Sequence, residues 1–181
     1  MCAQQVQLTD NATSVDVDPK VGAFKAIETE HSEIHEGQTY ICSHFYPLVA
    51  DDANADLRIT LGSNKELHIT ISIAVAGNGE ILLYEGTTYT VAGTGVAIYN
   101  RDRTSSNTTD ATCRYTPTAN VLGTELFHGY APGGEKKEAI GSVRRTAQEW
   151  IFKKSEDYLV RFTNRSGGAI DVSIEVEWYE V

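Results

Sequence analysis

Two stretches of strict two-residue alternation limit what this chain can become. Leu67, Ile69, Ile71, Ile73 and Val75 alternate with His68, Thr70, Ser72 and Ala74. Ile170, Val172, Ile174, Val176 and Trp178 alternate in the same way with Asp171, Ser173, Glu175 and Glu177. Successive side chains of a strand point to opposite faces, so each run presents one apolar and one polar face. The β-branched residues in both runs have stiff side chains that suit a pleated surface. Both segments are expected to be strands buried on one side.

Shorter runs extend the pattern. Residues 40–49, 57–61, 81–84, 87–91, 96–99, 125–130 and 158–163 read as further strands, with 21–29 as an extra one. Gly77-Asn78-Gly79 and Asn164-Arg165-Ser166-Gly167-Gly168 read as hairpin loops, because Asn and Gly tolerate positive φ. Gly93-Thr94-Gly95 separates another pair. The nine or ten segments predict an all-β fold, an antiparallel sandwich of jelly-roll type. One helical candidate remains at 135–149, where Ala139, Ile140, Val143 and Ala147 have helical spacing but Gly141 and Ser142 interrupt it. Residues 1–20 are polar and without periodicity, so an extended N-terminal arm is expected ahead of a single domain at 21–181. The stretch 101–111 is dominated by Ser, Thr, Asn and Asp and reads as a long solvated loop. Arm and loop are the first candidates for contacts between chains.

Composition excludes several partners. Fifteen basic residues stand against 25 acidic ones, a formal net charge of −10. Such a surface repels phosphate backbones, and Lys136-Lys137 and Arg144-Arg145 are too short to override it, so no nucleic acid is expected. The apolar stretches are strand-sized and predict no membrane span. The N-terminal residues show no basic and apolar leader pattern, so no secretory signal is expected and synthesis in a cytoplasm is the plain reading. Cys2, Cys42 and Cys113 are an odd set without a C-x-x-C pair, and read as reduced thiols. Cys42 lies inside an apparent strand as a small core residue, whereas Cys113 follows the polar loop and is expected to be more exposed. Asn11, Asn107 and Asn164 match the glycosylation sequon, which without a leader reads as chance.

No constellation for catalysis emerges. His31 and His35 are flanked by Glu28, Glu30, Glu33 and Glu36, which suggests a metal site in outline. The zincin pattern needs His-Glu-x-x-His, and this is His-Ser-Glu-Ile-His. On a helix the two histidines would share one face; on a strand they would lie about 13 Å apart at the usual rise, too far to share an ion. They are therefore read as solvated or network-forming residues at a strand end. Asp51, Asp52 and Asp56 could hold calcium, but their spacing does not follow a calcium-binding hand. There is no G-x-S-x-G elbow, and Gly93-Thr94-Gly95 lacks the rest of a phosphate-binding loop. Trp150, Trp178 and Tyr179 could form a sugar platform, although their apolar surroundings favour anchors in a core or interface. Catalytic, cofactor-binding and metal-binding residues are thus all expected to be absent.

Several stretches together resemble one family. Glu33-Ile34-His35-Glu36-Gly37 before an aromatic strand, Leu83-Tyr84-Glu85-Gly86-Thr87-Thr88 and Tyr99-Asn100-Arg101 are three of them. The others are Tyr158-Leu159-Val160-Arg161-Phe162-Thr163-Asn164 and Trp178-Tyr179-Glu180. The set, spread over roughly 21–181, resembles tailed-bacteriophage virion proteins that decorate the capsid (cement proteins). The resemblance implies a non-enzymatic structural protein on the virion exterior, made in the host bacterial cytoplasm. Its implied partners are the major capsid protein and its own copies, as a homotrimer. A carbohydrate- or receptor-binding module of a virion appendage is the alternative, and a metal-dependent jelly-roll enzyme using His31 and His35 is a third.

Overall fold

In the computed structural model the described residues are 29–132, 141–143 and 149–181. The expected arm at 1–20 and residues 21–28 of the strand expected over 21–29 lie outside them. The first element is a helix, α1 (Thr29–His35), where a strand end was expected. Gly37 explains it. At φ 69° this glycine takes the left-handed conformation that ends helices. The Gly37 N–H donates to the Ile34 carbonyl and the Gln38 N–H to that of Glu33, both at 3.0 Å. These two bonds satisfy carbonyls that the helix end would otherwise orphan.

Fourteen strands follow among the described residues. They begin with β1 (Thr39–Val49), β2 (Asn54–Leu61), β3 (Leu67–Val75), β4 (Gly79–Glu85) and β5 (Thr88–Val91). Next come β6 (Thr94–Val96), β7 (Ile98–Asn100), β8 (Ala111–Tyr115), β9 (Thr118–Val121) and β10 (Thr124–Ala131). The last are β11 (Gly141–Val143), β12 (Trp150–Phe152), β13 (Asp157–Asn164) and β14 (Ile170–Glu180). The first sheet has the order β11-β3-β14-β1-β7, with β12 also on β3. The second has the order β10-β4-β13-β2-β8-β6, and β5 pairs with β9 as a separate ribbon. Every pairing is antiparallel. The chain is an all-β sandwich.

The apolar faces meet between the sheets. Tyr40, Ile69, Ile174, Val176 and Trp178 from the first sheet and Leu57, Ile59, Tyr158, Val160 and Phe162 from the second join one buried cluster. Each such side chain contributes about 1.5–3 kcal/mol by leaving water. A smaller cluster lies on the opposite face of the second sheet. There the β5/β9 ribbon lays Tyr89, Ala119 and Leu122 over Leu82, Tyr84 and Leu159. Two bidentate ion pairs hold the same face: Arg161 on Asp56 at 2.8 and 2.7 Å, and Arg58 on Asp157 at 2.8 and 3.1 Å. The Arg58 guanidinium also sits 4.3 Å from the Tyr89 ring centre, tying the ribbon down.

Several expectations need correction. Neither glycine-rich loop makes a hairpin. The segment at 77–79 carries the chain from β3 in one sheet to β4 in the other, and 165–169 does the same from β13 to β14. Their turn chemistry is sound, but both flanking strands must bury an apolar face, and arching over the core achieves that. Gly79 is required by space: a Cβ there would stand 2.3 Å from Phe162 Cζ and from the Thr163 carbonyl oxygen. The helix expected at 135–149 does not run through 141–143, because Gly141–Val143 pairs along Val75, Ala74 and Ile73 of β3; residues 133–140 and 144–148 lie outside the described part. The single strand expected at 96–99 is two, β6 in the second sheet and β7 in the first, with Ala97 as the corner. Strands β8 and β9 had no clear alternation to announce them.

One buried side chain closes the end of the sandwich where β14 begins. Asn164 is fully buried; its Nδ2 donates to the Val49 carbonyl at 2.9 Å and the Gly168 carbonyl at 2.7 Å. Its Oδ1 accepts from the Ser166 N–H at 2.9 Å and the Ser166 hydroxyl at 2.6 Å. This sequon residue is a structural clamp, closed to a glycan in the folded chain. Asn164→Ala would orphan these groups and is expected to cost about 2–3 kcal/mol in chemical denaturation; a loss under half a kcal/mol would contradict the clamp.

Candidate functional site

The residues singled out in the sequence do not converge. His35 ends α1 with an exposed side chain, and the side chain of His31 lies outside the described residues. Asp51 accepts the Gly167 N–H at 2.9 Å, Asp52 pairs with Arg165, and Asp56 is taken by Arg161. These three carboxylates therefore face three separate partners. Among the described residues no group of three or more His, Cys, Asp or Glu is placed to hold a metal ion. Cys113 is 2 % exposed, against the expectation of an open position, because β8 turns it inward against Cys42. Trp178 is a core residue, its ring 5.9 Å from that of Tyr40, while Tyr179 next to it faces outward.

The loop over 101–110 has no regular structure, as expected, but it is moored to its own domain. Asn107 Nδ2 donates to the carbonyls of Glu36 and Gly37 at 3.2 Å. The Asp110 N–H and the Thr109 hydroxyl both donate to Glu180 Oε1, the former at 2.9 Å. The Glu180 side chain is buried completely, and Lys65 Nζ lies 3.2 Å from its other oxygen. A buried carboxylate with a lysine and several donors balances much of its desolvation. Loop 101–110 and Glu180 thereby close the end of the sandwich opposite Asn164.

The outer face of the first sheet carries the polar feature that sequence reasoning missed. A recess of about 180 Å³ is lined by Thr39, His68, Thr70, Arg101, Glu149, Glu177, Trp178 and Tyr179. Strand pairing sets His68 opposite both Tyr179 and Ile151. The His68 and Tyr179 rings stack at 4.5 Å. The Tyr179 hydroxyl donates to Glu149 Oε1 at 2.7 Å, and His68 Nδ1 meets the same oxygen. Arg101 Nη1 lies 3.9 Å from Glu177 Oε1. The cluster offers an aromatic ring, a guanidinium and two carboxylates in one shallow depression, a set able to hydrogen-bond a polar ligand. The three residues of the His68-Glu149-Tyr179 group are far apart in sequence, so no local motif announces them.

Three large apolar side chains stand exposed on this otherwise polar face. Phe45 is 56 % exposed, Tyr99 53 % and Ile151 61 %. Tyr99 pairs with Ile41, two positions of the same face from Phe45. Among the described residues β7 covers only Tyr40, Ile41 and Cys42 of β1, which leaves Ser43–Tyr46 with one strand partner, β14. Among the described residues no helix is long and apolar enough to cross a membrane. Comparison with protein-family models, curated proteins and solved structures returns no match.

The Tyr179 hydrogen bond, followed by that from His68, holds the Glu149 carboxyl below its ordinary range. A depressed carboxylate pKa means that this link is complete above the unfolded value of about 4.3 and is lost as pH falls through the lower folded value. Tyr179→Phe removes the leading donor. Carbon-detected NMR titration should show Glu149 moving up toward the ordinary range in that variant; an unmoved Glu149 would contradict the assignment.

Proposed function

We propose that this chain is a structural virion protein that decorates the outside of a bacteriophage capsid, binding the major capsid protein and copies of itself. The observation that carries the reading is the outer face of the first sheet, where exposed Phe45, Tyr99 and Ile151 stand with the recess beside a stretch of β1 that is paired on one side only, by β14. Exposed aromatic and aliphatic side chains with a half-open strand edge suit docking by surface burial and strand addition. The wiring supports the same reading. With the insertion at 86–123 set aside, the order β1-β14-β3-β12 faces β2-β13-β4-β10, and the chain crosses between sheets at nearly every step. That order fits a jelly roll of two interleaved Greek keys, an architecture found in capsid and lectin domains. The net charge of −10 suits a position outside the shell, away from packaged nucleic acid.

The recess favours a second reading, a carbohydrate- or receptor-binding module of a virion appendage. Its stacked His68 and Tyr179 with Arg101, Glu149 and Glu177 resemble the mixture of ring faces and charged groups that recognises polyhydroxy ligands.

Co-sedimentation with assembled capsid shells separates the two. Phe45→Asp with Ile151→Asp, and separately deletion of residues 1–20, should each leave a folded domain whose shell binding falls at least about tenfold, the loss of 1.4 kcal/mol or more. Full binding by both variants would refute decoration through this face and arm. Glycan binding that is lost with Glu177→Ala, without any shell binding, would establish the second reading instead.

A further inference from the structure

We propose that Cys42 and Cys113 form a latent inter-sheet disulfide site, which closes when the chain folds under oxidising conditions. Their sulfur atoms lie 3.0 Å apart, with Cys42 1 % and Cys113 2 % exposed. Cys42 belongs to β1 in the first sheet and Cys113 to β8 in the second. Face-to-face sheets stand about 10 Å apart, whereas a disulfide joins Cα atoms usually within about 4.4–6.8 Å. Such a bridge can form only where the sheets converge, and the topology supplies that place. Val96 of β6 pairs with Cys113 and Ile98 of β7 pairs with Cys42, so the corner at Ala97 carries one chain segment from sheet to sheet directly beside the two sulfurs. The corner draws β1 and β8 together.

Each thiol is the other's hydrogen-bond partner, and the neighbouring side chains Val176 and Ile59 in the ladder are apolar. The Cys42 hydrogen bond, followed by burial, raises the Cys113 pKa. The native pair is therefore a poor nucleophile and exchanges slowly once the core is closed. Pairing belongs to the folding chain, before the corner seals. A low-molecular-weight disulfide such as oxidised glutathione is the oxidant. One cysteine thiolate attacks it, forms a mixed disulfide and releases one glutathione thiol. The second cysteine thiolate then attacks the protein sulfur of the mixed disulfide and expels the second glutathione. The protein gives up two hydrogens and two electrons; the oxidant becomes two thiols. The bond would enclose the residues from 42 to 113, spanning β2 to β7, and constrain a long stretch of the unfolded chain.

The test is refolding of the full-length chain from denaturant in a glutathione redox buffer, followed by alkylation and non-reducing peptide mapping. The expected product is lighter by two hydrogens, joins the Cys42 and Cys113 peptides and leaves Cys2 alkylated. Its thermal midpoint should exceed that of the reduced protein by roughly 5–15 °C. A phosphine reductant should abolish the rise, and Cys2→Ser should leave it intact. Because peptide mapping reads the unsubstituted chain, the result does not depend on whether a Cys42 or Cys113 variant folds. Absence of the Cys42–Cys113 peptide at every redox ratio would overturn the proposal, as would products linked only through Cys2.

Discussion

The burial of one face of β14 is the constraint from which the rest of the molecule follows. Val172, Ile174, Val176 and Trp178 lie on that face at no more than 2 % exposure, between β1 and β3 in the centre of the first sheet. A strand so placed needs an equally apolar surface opposite, which Leu57, Ile59, Val160 and Phe162 provide. Strands adjacent in sequence then gain more by facing each other across the core than by pairing side by side. The chain arches from sheet to sheet for that reason, even through loops whose composition suits a hairpin.

A sandwich built this way has open ends and sides, and polar chemistry closes each of them. Asn164 ties the loop after β1 to the loop after β13, using every hydrogen-bonding atom of its amide. Glu180, at the far end of β14, gathers Lys65, Thr109, Asp110 and Trp178 Nε1 around a buried carboxylate. Along one side the corner at Ala97 joins the sheets covalently. On the outside of the second sheet the β5/β9 ribbon covers an apolar patch that would otherwise face water. The outer face of the first sheet has no such cover among the described residues. That asymmetry is the physical basis for assigning it a partner.

Much of this was legible in the sequence where burial is one-sided. The alternation in β3 and β14 translated directly into strands, and the all-β sandwich class came with it. Legibility failed where a local pattern competes with a tertiary demand. Gly77-Asn78-Gly79 has the chemistry of a tight turn, yet the need to bury Ile73 and Leu83 against a common core sends its strands to different sheets. Gly37 marked the end of α1, but the histidines and glutamates before it drew attention to metal chemistry. Gly141 and Ser142 interrupted a helical pattern, and β3 had a free flank to receive them. The recess could not be foreseen, because His68, Glu149 and Tyr179 meet only through strand register, and register is not written in any one segment.

The residues nominated in the sequence do not converge on one site, and the proposed role rests on the uncovered face instead. The proposed role makes this chain a surface that assembles, with capsid and with itself, through apolar area and strand edges. The most direct measurement is the mass of the full-length protein in solution by light scattering on a sizing column, with and without assembled shells. The account predicts a trimer near three times 19.8 kDa, or a monomer that saturates the shells in a fixed ratio. A monomer at every concentration that leaves the shells bare would contradict it.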